Sequence, residues 1–345
     1  MKRYLMVFLK TLGLVLVVLA AFTGFVWVQG IQYTLAFGTW SWSNPHFDSS
    51  GIVPERNCGG ATPCGSGPIK VLTYNILCRV CTSGDNKPEH EDWYQRLPHL
   101  RAMIADYAPD LIGHQEVGGW KDIYELDIAP EKYAPVTHSF GPWAYADAVL
   151  LYNRERFDLV DSGQFWLAPD PSLPFAFGWQ TLAMPRYVSW AHLRQKADGF
   201  EFLFLNTHFD NNPPNKEAAA LLANKTFGLH AARLPVIFTG DFNTSHETDR
   251  YRNLLTGGDA TAEFVNAADL APMMEELPPV EGMTPAQTGT PLENLDHIID
   301  HILLGGDWDK KVTRWVVDRR GYGPEQLRAS DHPAVFAEVS FSLRP

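Results

Sequence analysis

Val236-Ile-Phe-Thr-Gly-Asp241-Phe-Asn243 is the stretch on which the reading of this chain turns. Four residues with strand preference run into Gly240, and two oxygen-bearing side chains, Asp241 and Asn243, follow at once. An apolar strand that ends in an acid presents a ligand group at the edge of an α/β sheet. The same arrangement recurs outward in both directions. Asn75 interrupts VLTYNIL, Glu116 follows DLIGHQ, and His208 follows FLFLNT, while Asp331 and His332 stand in SDHP before a final apolar run.

Strand-length apolar runs lie at 70–77, 111–115, 148–152, 187–193, 200–207, 236–239, 297–304 and 334–341. Leu97, Leu100, Met103, Ile104 and Tyr107 keep helical spacing over 93–107, with Pro109 as the stop. A second helix is expected over 215–230, with Ala218, Leu221, Leu222 and Lys225 in register. Strands interleaved with helices and few tight hairpins predict a layered α/β domain. The Gly- and Pro-rich segments 168–180 and 277–291 read as loops over one edge. Trp166, Phe175, Phe177 and Trp179 around the first of them either touch a membrane or bases, or pack on the core.

Lys2, Arg3 and Lys10 precede an uncharged run from Thr11 to Gly30, long enough to cross a bilayer's hydrocarbon layer. This predicts a domain organisation of a membrane anchor or signal segment at 1–30, a Gly-, Pro- and Ser-rich linker at 31–68, and one domain at 69–345. The basic flank places the N-terminus inside and the domain on the extracytoplasmic side; a cleaved signal would make it secreted. Cys58, Cys64, Cys78 and Cys81 all fall in 24 consecutive positions, which in an exported domain reads as one or two disulfides, with a small zinc site as the alternative. The 345-residue chain carries a net charge of −12 and no Lys/Arg stripe, which argues against a protein that coats nucleic acid.

Taken singly, each strand-end residue has an ordinary explanation as a turn former, helix cap or solvated acid. Together they form a coherent chemical set. Carboxylates and an amide are hard oxygen ligands for Mg²⁺ or Mn²⁺, and imidazoles hydrogen-bond phosphate oxygens or move protons.

The succession YNIL, QE, NTHFD, GDFN, IDHIL and SDHP resembles the endonuclease/exonuclease/phosphatase superfamily over about residues 69–343. The local motifs are similar to its nocturnin-like deadenylase branch. The resemblance implies a four-layer α/β sandwich: two mostly antiparallel sheets with outer helices, here preceded by one N-terminal transmembrane helix. It implies a metal-dependent hydrolase of phosphate ester bonds, either phosphodiesterase or phosphatase, acting by in-line attack of water with Mg²⁺ or Mn²⁺. Asn75 and Glu116 would hold the metal, with Asp331 completing its shell. Asp241 would prepare the water and Asn243 would steady it, while His208 and His332 would contact the scissile phosphate. Asp300 would orient His332, with Asp296 a rival because LDHIIDHIL repeats Asp-His. Asp147 and Arg186 are candidate substrate contacts, Arg186 having a surface ion pair as its alternative.

Three substrates fit: a lipid headgroup, a small phosphodiester, or nucleic acid cleaved by a nuclease or 3′–5′ exoribonuclease activity. The alternative from another class is a catalytically inactive binding module of the same fold.

Overall fold

Successive side chains of a strand point to opposite faces, and the central strands, apolar and buried along their length, bury one face between two stacked sheets and the other outward. The computed structural model describes residues 2–28, 65, 67–82, 90–126, 131–136, 147–171, 173, 176, 178, 179, 185–231, 233–257, 264–272, 274–277 and 298–343. Cys58, Cys64, Phe175, Phe177 and Asp296 lie outside these residues, as does nearly all of the expected 31–68 linker.

The strands are β1 (Ile69–Asn75), β2 (Leu111–Gln115), β3 (Tyr133–Val136), β4 (Val149–Asn153), β5 (Phe157–Trp166), β6 (Tyr187–Gln195) and β7 (Glu201–His208). They continue with β8 (Val236–Asp241), β9 (Val265–Asn266), β10 (Met274–Leu277), β11 (Asp300–Gly305), β12 (Trp308–Asp318) and β13 (Ala334–Leu343). One sheet runs β10-β12-β13-β1-β2-β4-β3 and the other β5-β6-β7-β8-β11-β9. Neighbours are antiparallel except β1 with β2, β10 with β12, and β7 with β8.

Between the sheets, Ile69, Val71, Leu111 and Leu150 meet Phe202, Phe204, Ile237 and Ile302, all fully buried. On the outer face of the first sheet, Leu97, Leu100, Met103 and Ile104 of the helix Trp93–Tyr107 pack on Leu72, Ile112 and Phe336. Ala108, in the left-handed region at φ 43°, ends that helix one residue before Pro109. On the outer face of the second sheet, the helix Pro213–Ala231 covers Val188, Trp190 and Leu205. Helix, sheet, sheet and helix make the four layers expected.

One expectation needs correction. The face that the helix Pro213–Ala231 buries is Ala219, Ala220, Ala223 and Phe227, whereas Leu221 and Lys225 are exposed. Small alanines let the helix lie close on the bulky β6 and β7 side chains, so volume complementarity overrides the Leu count. Of the two readings of Trp166, packing on the core holds: it belongs to β5, buried edge-on to Tyr187 at a ring distance of 5.3 Å. Trp179 is partly buried against the cluster beneath the helix Pro213–Ala231.

The N-terminal helix Lys2–Val28 contains Met6–Gly24, 19 residues of mean hydropathy 2.3 with no part of that span buried in the protein. It is long and apolar enough to cross a membrane.

Along the inner faces the chemistry changes toward one edge. Ile69 and Val71 of β1 are followed by Thr73 and Asn75; Phe202 and Phe204 of β7 by Asn206 and His208; Ile237 of β8 by Thr239 and Asp241. The middle layer is an amide–hydroxyl network in which Gln115 Oε1 is left without a hydrogen-bond partner among the described residues. Gln115 Nε2 donates to Asn206 Oδ1 at 2.7 Å and to Thr73 Oγ1 at 3.1 Å, and Asn206 Nδ2 donates to the carbonyls of His114 and Val149. Thr239 Oγ1 donates to Leu205 O. These bonds between buried polar groups tie the two sheets together and offset most of their desolvation. Gly113 is required at this layer, since a Cβ there would stand 2.3 Å from Thr239 Oγ1 and 2.6 Å from Asn206 Oδ1.

Candidate active site

Strand direction explains why distant motifs converge. β1, β2, β7 and β8 end at the polar edge, whereas β11 runs antiparallel to β8 and β13 antiparallel to β1, so both begin there. Register then aligns the second sheet, with His208 opposite Asp241 and Asp241 opposite Asp300. Directly paired residues point to the same side of a sheet at about 4.8 Å spacing, so the three side chains form one row.

Asp241 Oδ2 is the hub. It lies 3.2 Å from Asn75 Nδ2 across the sandwich, 3.4 Å from His208 Nε2 and 3.7 Å from His332 Nε2. Its other oxygen, Oδ1, accepts the Asn243 backbone N–H at 2.9 Å. Asn243 sits at φ 49°, a left-handed conformation that Asn tolerates better than most residues, and its Nδ2 donates to Phe209 O. Asn75 Nδ2 also donates to Glu116 Oε1 at 3.2 Å.

Each imidazole is fixed from behind by an acid. His332 Nδ1 lies 2.7 Å from Asp300 Oδ2, and His208 Nδ1 lies 2.9 Å from Asp147 Oδ1. Burial would lower His332, but the charge of Asp300 and its hydrogen bond outweigh this and push it up to about 10. The buried Asp300 carboxyl is itself raised, since desolvation outweighs the pull of His332. His208 is raised because the charges of Asp147 and Asp241 overcome its desolvation. Asp147 is buried, which alone would raise it, yet the Arg186 guanidinium bonded to Oδ2 and the neighbouring His208 hold it well below the usual carboxylate range.

Asp147 also accepts the Glu116 N–H at 3.1 Å, so both of its oxygens are engaged within the protein. Expected as a substrate contact, Asp147 thus stands behind His208, and Arg186 stands behind Asp147. Glu116, at φ 61°, turns its carboxylate toward Asn75 and Cys78 N–H, the latter 3.1 Å from Oε2. Cys78 and Cys81 form a disulfide. Asp331 lies between Ser330, whose hydroxyl donates to Asn75 O at 2.6 Å, and His332.

Sequence reading passed over three residues that hold the site. Arg96 is fully buried and bonds the carbonyls of Ile76, Leu77 and Ala329, which joins the loop after Asn75 to the loop before Ser330. On a helical pattern it looks like one more solvent-side charge, and nothing in the sequence marks it. Lys216 Nζ donates to Asn243 O at 2.9 Å, steadying the turn after Asp241. His301 donates from Nε2 to Thr244 O while Nδ1 faces Asn266 Nδ2 at 3.1 Å. The repeated Asp-His of LDHIIDHIL was the available signal for His301.

The donor set suits a divalent cation. Glu116, Asp241, Asp300 and Asp331 bring carboxylates to this edge, Asn75 turns its Nδ2 toward Glu116 and Asp241 while its Oδ1 accepts the Leu77 N–H, and Asp300 Oδ1 is buried with no hydrogen-bond partner among the described residues. Asp241, Asp300 and His332 each place a ligand-type atom within 4.8 Å of the others. Concentrated negative charge in a buried place calls for a compensating cation, and oxygen donors suit Mg²⁺ or Mn²⁺.

A two-sheet α/β sandwich whose edge carries paired acid–imidazole units around one central aspartate defines the class of this protein. A model of the Endonuclease/Exonuclease/phosphatase family matches residues 72–332, and the chain belongs to that family. Among solved structures, an endonuclease/exonuclease/phosphatase family protein from Bacteroides thetaiotaomicron is 25% identical, with a TM-score of 0.66 covering 82% of this chain and 98% of that one. A mannosyl-6-phosphatase from Bacteroides thetaiotaomicron is also 25% identical, with a TM-score of 0.66 over 79% of this chain and 99% of that one. The human nocturnin catalytic domain with bound sulfate shares the fold at 19% identity and a TM-score of 0.57, covering 80% and 95% of the two chains. No curated protein matches the sequence.

Proposed function

We propose that the chain is a divalent-metal-dependent hydrolase of phosphate esters, carried by residues 69–345 and tethered through a linker to a single N-terminal membrane helix, with the domain on the extracytoplasmic side. The observation that carries this reading is the convergence of Asn75 Nδ2, His208 Nε2 and His332 Nε2 on Asp241 Oδ2. Two imidazoles whose protonated forms are favoured by buried acids can bind phosphoryl oxygens, while the central carboxylate accepts a proton from water.

Asn75 and Glu116, with support from Asp331, would hold the cation. Mg²⁺ or Mn²⁺ bound there would offset phosphate charge and stabilise the charge that develops in the pentavalent transition state. Asp241 Oδ2 orients the attacking water and takes its proton, and the Asn243 N–H on Oδ1 keeps that carboxylate from rotating. His332 and His208 hold the phosphoryl oxygens. Asp300 and Asp147 are positioning residues that present Nε2 of each ring, and Arg186 keeps Asp147 ionised.

A small or lipid-borne phosphate ester fits better than a polynucleotide, because the chain carries a net charge of −12 and its N-terminal helix is suited to a bilayer. The likeness to a mannosyl-6-phosphatase favours including sugar phosphates among the substrates.

The test uses the purified full chain in detergent with mannose 6-phosphate, inositol phosphates, phospholipids, bis-p-nitrophenyl phosphate, and short RNA and DNA. Each is assayed with Mg²⁺, with Mn²⁺ and with EDTA, beside Asp241→Ala and His332→Ala. Metal-dependent turnover that both folded variants lose by about 10²-fold or more is expected. Turnover indifferent to EDTA would reject the mechanism. A folded protein that neither turns over any substrate nor binds either ion would be an inactive module.

A further inference from the structure

Both halves of the Cys78–Cys81 disulfide lie against one carboxylate. The Cys78 N–H donates to Glu116 Oε2 at 3.1 Å, and Cys81 Sγ is 3.7 Å from the same oxygen. Between the two cysteines, Arg79 pairs with Asp122 at 3.0 Å, and Asp122 accepts the Gly118 N–H at 2.9 Å, two residues past Glu116. The turn is therefore tied to the Glu116 loop at several points. One ligand atom each from Cys78, Cys81 and Glu116 lies within 4.8 Å of the others, and C-x2-C is a chelating spacing once the sulfurs are free.

We propose that reduction of Cys78–Cys81 converts this corner into a binding site for a thiophilic divalent cation such as Zn²⁺, held by the two thiolates and the Glu116 carboxylate. The reductant is a dithiol. One of its thiolates attacks Cys81 Sγ, the more accessible sulfur, since Cys78 is 3% exposed, and expels the Cys78 thiolate. The second reductant thiol then displaces Cys81 from the mixed disulfide. Two electrons pass to the protein, and the reductant leaves as its own disulfide. Binding of Zn²⁺ releases the two thiol protons. Because Glu116 serves both cations, Zn²⁺ occupancy inhibits hydrolysis by the reduced protein. That consequence rests on the proposed function, but the binding site does not.

The experiment uses the full chain in detergent, with Cys58→Ser and Cys64→Ser so that one cysteine pair remains. It is compared oxidised and after dithiothreitol reduction and anaerobic desalting, with thiols counted and Co²⁺ as the probe. The reduced protein should show two thiols and a thiolate-to-Co²⁺ charge-transfer band at one equivalent that Zn²⁺ displaces, and the oxidised protein no band. Cys81→Ser should abolish the band, and Glu116→Gln should weaken Co²⁺ binding about tenfold. Should the double serine variant not fold, the four-cysteine parent read against its Cys81→Ser variant makes the same comparison. A reduced, folded protein with two counted thiols and no band overturns the proposal, as does Co²⁺ affinity indifferent to Glu116→Gln. If the band appears while no substrate is hydrolysed in any state, the proposed function fails and this site stands.

Discussion

His208 Nδ1 lies 2.9 Å from Asp147 Oδ1, and this contact decides which nitrogen of the ring looks into the site. The Arg186 guanidinium on the far oxygen keeps Asp147 charged despite its burial. The three residues form a relay of fixed charges that ends on Nε2.

Asp147→Asn tests that relay. The substitution leaves the Arg186 charge poorly compensated and no longer favours a protonated His208, so kcat should fall about 10²-fold and stability by about 3 kcal/mol. Steady-state kinetics and urea unfolding measure the two effects. Undiminished kcat in a folded variant would remove Asp147 and Arg186 from the mechanism.

Asp300 and His332 should behave as one unit. Asp300→Asn and His332→Gln are each expected to lower kcat about 10²- to 10³-fold, and the double variant to be little worse than the weaker single. Strict multiplication of the two losses would mean that Asp300 acts independently of the imidazole.

Arg96→Lys should be far from conservative. A compact ammonium cannot span the carbonyls of Ile76, Leu77 and Ala329 that the guanidinium fork reaches. A loss of about 2–4 kcal/mol in denaturant unfolding is expected, together with reduced kcat, because both joined loops carry site residues. Wild-type stability would show that solvent replaces the fork.

Burial pushes His114 down to about 4, so the folded protein keeps it neutral at neutral pH. In the unfolded chain it titrates near 6.5, so between pH 6.5 and about 4 the unfolded state binds more protons. The stability tied to a neutral His114 is complete above about 6.5 and is lost as the pH falls toward 4. Asp122, which burial raises to about 6, has the opposite slope over the lower part of this window, and its contribution cancels when parent and variant are compared. The stability lost between pH 7 and pH 5 should be about 2 kcal/mol smaller in His114→Gln than in the parent. Equal losses in parent and variant, measured by chemical denaturation at both pH values, would count against a neutral buried His114.

Much of the sandwich was legible because its central strands carry unbroken apolar runs, and the helix Trp93–Tyr107 because its buried positions keep strict spacing. β5 and β12 escaped notice for the opposite reason. Their first halves expose Asp158, Asp161, Asp309 and Lys311, and in β5 Leu159 and Val160 are exposed as well, so neither half carries a continuous or alternating apolar run. The polar strand-end residues could be collected from the sequence, but their grouping depends on strand direction and register, which no local pattern encodes. Asp147 illustrates the limit. Its position beside a strand was readable, whereas its partner His208 lies 61 residues away and only pairing between the sheets brings them together.

The strand order has one more consequence. β13 leaves the ribosome after the other strands described, yet it lies inside its sheet, between β12 and β1. Until it inserts, the strand carrying Asn75 is an open edge and Asp331 and His332 have no frame. Before β13 pairs with β1, the side chains of this edge are not brought together, so the site assembles late. Such late, long-range closure also makes folding slow and leaves β1 exposed to wrong partners in the interval.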